Sequence, residues 1–154
     1  MTVRFPEIPA RSLERERYDL PGDFEGRRNV AVVAFRREQQ QLVDTWLPHL
    51  LAIEAEHADL RVYEIPVISQ RWGPARWFID GGMAVGIADR EACARTLTSY
   101  TDVGLVRQAL LLPDDSTIAT VLTGRDGRIT WMTTGAFAEP AGEELRAALA
   151  TEAR

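Results

Sequence analysis

Residues 29–46 read NVAVVAFRREQQQLVDTW: an apolar run from Val30 to Phe35, a polar corner from Arg36 to Gln41, then the opening of an amphipathic helix. A β-branched run of this length suits a strand buried on both faces, and a helix straight after it implies a crossover to a parallel neighbour. The polar corner then falls at the carboxyl end of a central strand, where open α/β sheets place their binding sites. From Glu38 to His57 the residues Leu42, Val43, Trp46, Leu47, Leu50 and Ile53 recur at spacings of three and four, which makes one buried stripe. Pro48 removes a hydrogen bond to the carbonyl of Asp44, so a kink rather than a break is expected.

Working outward, Leu60 to Val67 reads as a second strand, closed by Pro66 and the turn-like Trp72, Gly73 and Pro74. Ala75 to Ile87 has helical potential weakened by Gly81, Gly82 and Gly86. Thr96 to Tyr100 reads as a short strand. Asp102 caps a helix with Val103, Val106, Ala109 and Leu110 on its apolar face, and Pro113 stops it. Thr117 to Leu122 and Arg128 to Thr133 form a hairpin around Arg125, Asp126 and Gly127, and Glu139 to Ala150 closes the chain with a helix turning Leu145 and Leu149 inward. Upstream, residues 1–28 carry Pro6, Pro9, Pro21 and a charged patch at Glu14 to Arg17, and are expected to be a surface arm and lead-in with at most one helical turn. The remaining 29–154 reads as one α/β domain.

Composition narrows the function. The chain has 154 residues, 45% hydrophobic and 27% charged, with 23 acidic residues against 18 basic ones and a net charge of −5. That balance, with no basic run, argues against nucleic acid as a partner. Every basic residue other than histidine is arginine, which excludes a phosphate-loop lysine, a Schiff-base lysine and a lysine general base. Cys93 is the single cysteine, so an internal disulfide and a cysteine-based zinc site are excluded. His49 and His57 lie two helical turns apart, too far to share a metal, so no metal or other cofactor is expected. No apolar leader or run of membrane-spanning length is visible, and a cytoplasmic location is the expectation.

The element order, ending in a hairpin and a helix, resembles the thioredoxin-like superfamily, a three-layer α/β sandwich on a mixed sheet. In thioredoxins the first cysteine of CxxC follows a strand-ending Phe by five residues, and a helix-kinking proline follows the second by five. Counting from Phe35 gives Gln40, and counting back from Pro48 gives Val43. The two landmarks agree on the CxxC spacing, and neither position is cysteine. Where the family carries a cis-proline before the next strand, this chain has Ser116 and Thr117. Peroxiredoxin-like proteins place a Thr and a reactive Cys near the same corner, and that pair is also missing. The stretch Gly127 to Ala136, followed by Glu143, Glu144 and Leu145, resembles the mitochondrial ATP synthase assembly-factor family, a thioredoxin-like branch without the redox pair whose members act as chaperones for a membrane subunit.

The resemblance implies a protein that works by binding rather than by dithiol chemistry. Its candidate surface is the corner of Arg36, Arg37, Gln39, Gln40, Val43, Ser116 and Thr117, and its candidate partner is a protein, a membrane protein among the options. Two alternatives stand beside it. One is a thiol reductase or peroxidase using Cys93, placed in a first helical turn by Asp89 with Arg90 and Arg95 near in sequence. The other is a homodimer with a structural or regulatory role, to which Trp72, Trp77, Phe78 and Met83 would contribute if exposed. Glu54, Glu56 and Asp59 read as a solvated helix face.

Overall fold

A computed structural model describes residues 3–69 and 95–152. Its elements are β1 (Ile8–Ser12), β2 (Arg17–Leu20), β3 (Arg28–Ala34), a 3-10 turn (Arg37–Gln39), α1 (Gln40–Glu56), β4 (Leu60–Ile68), β5 (Leu97–Tyr100), α2 (Val103–Ala109), β6 (Ala119–Gly124), β7 (Ile129–Thr134) and α3 (Glu139–Glu152). The seven strands form one mixed sheet in the order β2-β1-β5-β4-β3-β6-β7. β3 and β5 run parallel to β4, and the other neighbouring pairs are antiparallel. The sheet sits between two apolar layers because β3 is apolar on both faces. Val30, Val32 and Ala34 meet α1 and α3 through Val43, Trp46, Leu50, Ile53, Leu145 and Leu149. Ala31 and Val33 face the opposite way, toward Phe5, Phe24, Tyr63, Val106 and Leu110.

Several expectations hold in detail. α1 is one helix through Pro48, and its buried residues are Val43, Trp46, Leu50 and Ile53. The Asp102 carboxylate accepts from the Gly104 N–H at 2.8 Å, capping α2. The β6–β7 hairpin turns at Gly127, whose φ of +84° is the left-handed conformation glycine allows.

Others are corrected. Residues 8–20 are not a surface arm: β1 and β2 form a hairpin that extends the sheet through β5, and Ile8, Ala10, Tyr18 and Leu20 are buried. The turn between them is held by Ser12, whose hydroxyl oxygen accepts from the N–H groups of Glu14 and Glu16. Pro66 does not close the second strand. It lies within β4 opposite Ala34, and the strand continues to Ile68. β6 starts two residues later than expected, at Ala119, leaving Ser116 and Thr117 in the loop before it. Glu54, Glu56 and Asp59 are not a merely solvated face, since each is ion-paired, to Arg95, Arg146 and Arg28 respectively. The Ala75–Ile87 stretch, Trp72, Trp77, Phe78, Met83 and Cys93 lie outside the described residues.

Candidate functional site

The polar corner forms where β3 ends and α1 begins, and Gln39 organises it. Its side chain is buried at 4% exposure. Oε1 accepts from the backbone N–H groups of Phe35 at 2.8 Å and Arg36 at 3.1 Å, and Nε2 donates to the carbonyl of Asp115 at 2.8 Å. One amide therefore satisfies three backbone groups that the strand-to-helix change would strand without partners. Arg36 reinforces the same closure from outside with a 2.6 Å ion pair to Asp115, and the Asp115 carboxylate holds its guanidinium above the ordinary value. In the next residues Asp114 accepts from both the backbone N–H and the hydroxyl of Ser116, which hold its carboxyl below the usual range.

The two landmark positions separate. Val43 is buried at 2% exposure against the sheet and cannot touch a partner. Gln40, the first residue of α1, is half-buried and points its Nε2 to Glu64 Oε1 at 3.0 Å and to Asp44 Oδ1 at 3.1 Å. The surface a partner can reach is thus Arg36, Arg37, Glu38 and Ser116, with Thr117 half-buried behind them. Gln39 supports that surface from below and is not part of it.

Sequence reasoning did not single out Glu64. It stands mid-strand on β4, opposite Val32 on one side and Thr96 on the other, and also accepts from the Thr96 hydroxyl at 3.4 Å. Burial pushes its carboxyl pKa above the usual 4.5, with Asp44 adding to the rise and the Gln40 and Thr96 hydrogen bonds opposing it. An acidic residue interrupting the otherwise apolar run from Val62 to Ile68 was the available signal. The sign of its effect follows from linkage. Between the ordinary carboxyl pKa and the raised folded value, the native state holds a proton that the unfolded chain has released, so stability falls as pH rises through that window. Glu64→Gln is expected to flatten this limb, leaving the variant more stable than the parent at pH 7 and equal to it near pH ~4. Urea midpoints measured across that range check the crossover.

No protein-family model matches the sequence, and a search of curated proteins returns no match. Solved structures do match. A candidate electron-transport protein from Aquifex aeolicus VF5 superposes with a TM-score of 0.68 at 11% identity, covering 100% of this chain and 99% of that one. The fold is thioredoxin-like. BsSco, a member of the Sco family of cytochrome c oxidase assembly proteins, gives a TM-score of 0.60 at 9% identity over 97% of this chain and 94% of its own. A thio-disulfide isomerase from Thermus thermophilus gives 0.56 at 14% identity over 99% and 97%. On this fold the corner of Gln39, Gln40 and Val43 is the strand-to-helix junction where the landmark counts put the CxxC pair. No helix among the described residues is long and apolar enough to cross a membrane.

Proposed function

We propose that the protein is a thioredoxin-like binding protein, a chaperone or assembly factor that has given up dithiol chemistry and recognises a protein partner at the former redox corner. The observation that carries this reading is the pair of landmark positions. Gln40 stands where an attacking thiol would be and is spent on hydrogen bonds to Glu64 and Asp44, while Val43 is packed into the core. Neither side chain can exchange a disulfide. The corner nevertheless stays rigid, because Gln39 and the Arg36–Asp115 pair fix its two loops against each other, and a rigid, charged rim is what a recognition surface requires. A structural neighbour described as an assembly protein supports the class of role, and the resemblance of residues 127–145 to ATP synthase assembly factors supports a membrane-protein client.

The test is capture of partners by the tagged chain from detergent-solubilised cells of its source, beside an Arg37→Glu, Glu38→Arg double variant changed only at exposed positions. A specific partner recovered by the parent chain and reduced roughly tenfold or more in the variant is the expected result. Equal recovery by both forms removes the corner as the docking surface.

A further inference from the structure

At the opposite end of the sheet from the corner, a cleft of about 640 Å³ opens between the amino ends of β3 and β4 and the β6–β7 hairpin. Some arginines of this acidic chain are paired with carboxylates, as in Arg17–Asp19, Arg28–Asp59, Arg36–Asp115, Arg95–Glu54 and Arg146–Glu56. The cleft gathers basic residues in one place. Arg27, Arg28, Arg128 and His57 all line it, and the acids that also line it are already engaged. Asp59 takes Nε and Nη2 of Arg28 at 2.8 and 3.0 Å, Glu56 is paired with Arg146, and Asp126 accepts from the Arg128 backbone N–H at 2.9 Å within the turn. The guanidiniums of Arg27 and Arg128 make no hydrogen bond or close ion pair among the described residues, although Arg27 is near enough to Asp59 to help hold its carboxyl below the usual range.

The fold sets these two arginines on either side of one glycine. Gly124 donates its N–H to the Arg128 carbonyl at 3.3 Å, and a Cβ built on it would lie 3.9 Å from the Arg27 carbonyl. Arg28 forms a fixed wall between them and α3, since its Nη1 also donates to the Leu149 carbonyl at 2.7 Å. Two unspent planar forks beside a fixed third, in a cleft of the size that takes small molecules, match the oxygens of phosphate and carboxylate groups. We propose that this cleft binds a small polyanion, a molecule carrying phosphate or clustered carboxylate groups, through Arg27 and Arg128, with His57 at its edge. Binding here is separate from partner recognition at the corner and does not depend on it.

The experiment is titration of the full ¹⁵N-labelled chain with inorganic pyrophosphate and, separately, with citrate, each at constant ionic strength held with sodium chloride. The amides of Arg27, His57 and residues 124–130 are expected to shift and saturate, with pyrophosphate the tighter ligand if phosphate is the natural group and citrate the tighter if it is carboxylate. An Arg27→Gln, Arg128→Gln variant, changed only at exposed side chains, is expected to bind about tenfold more weakly or worse while its spectrum elsewhere is preserved. Arg128→Gln alone repeats the comparison with the smaller change. Absence of saturating shifts at these amides below about 10 mM of either anion, or equal affinity in parent and variants, overturns the proposal.

Discussion

Replacing Trp46 by alanine is expected to destabilise the protein by about 3–5 kcal/mol, the range for deleting a large aromatic from a packed core. Trp46 is fully buried on α1 and joins three elements at once. Its ring stands edge-on to Trp131 of β7 at 6.2 Å and to Phe137, just before α3, at 5.1 Å, while Nε1 donates to the Gly135 carbonyl at 2.9 Å. Alanine leaves a cavity at that junction and strands the carbonyl. Trp46→Phe keeps most of the volume and loses the hydrogen bond, so it is expected to cost nearer to 1–2 kcal/mol. Urea denaturation followed by far-ultraviolet circular dichroism measures both, and a loss below about 1 kcal/mol for the alanine variant contradicts the packing described.

Gln39→Ala carries the second large effect, about 2–4 kcal/mol, although glutamine is rarely counted as a core residue. The substitution removes little apolar surface. What it removes is the acceptor for the Phe35 and Arg36 N–H groups and the donor to the Asp115 carbonyl, leaving backbone groups unpaired at a junction where no regular structure satisfies them. Amide hydrogen exchange is the sharper readout: the Phe35 N–H, protected in the parent, is expected to exchange far faster in the variant, while the middle of β3 changes only in proportion to global stability. Unchanged protection at Phe35 rules out the clamp. Gln39→Glu tests the same point, since it keeps the acceptor but brings a charge into the buried position and loses the donor.

The contrast between these two residues shows what the sequence discloses. Trp46 lay on a stripe repeating at helical spacing, and β3 on an unbroken apolar run, so the central strand and the main helix were legible from periodicity, the hairpin from its Asp126–Gly127 turn, and the fold class from the resemblance of the element order to the thioredoxin-like superfamily. β1 and β2 alternate buried and exposed just as clearly, in Ile8-Pro9-Ala10-Arg11-Ser12 and Arg17-Tyr18-Asp19-Leu20. Prolines and charges in and between them masked a period of two that was present. Pro66 misled for a related reason, since proline is expected at strand ends and here occupies the interior of a strand.

At the site, counting from Phe35 and Pro48 found the corner but not the role of each residue in it. Gln39 and Gln40 are adjacent and chemically identical. The first turns inward to hold backbone and the second reaches Glu64 in the middle of β4, a difference of place, the 3-10 turn ending at Gln39 and α1 beginning at Gln40, and not of residue type. The partners of Glu64, the place of Asp115 and the Arg27–Arg128 cleft depend on contacts between residues far apart in the chain, which no local pattern reports.

The central claim, that the corner is a surface for a protein partner, is tested most directly by contact. A benzophenone amino acid placed at Arg37 and irradiated in cells of the source is expected to give a discrete protein adduct, whereas the same group at Glu14, on the exposed β1–β2 turn, gives none of that product. Identical adducts from both positions, or none from position 37 with the chain folded and abundant, contradicts the account.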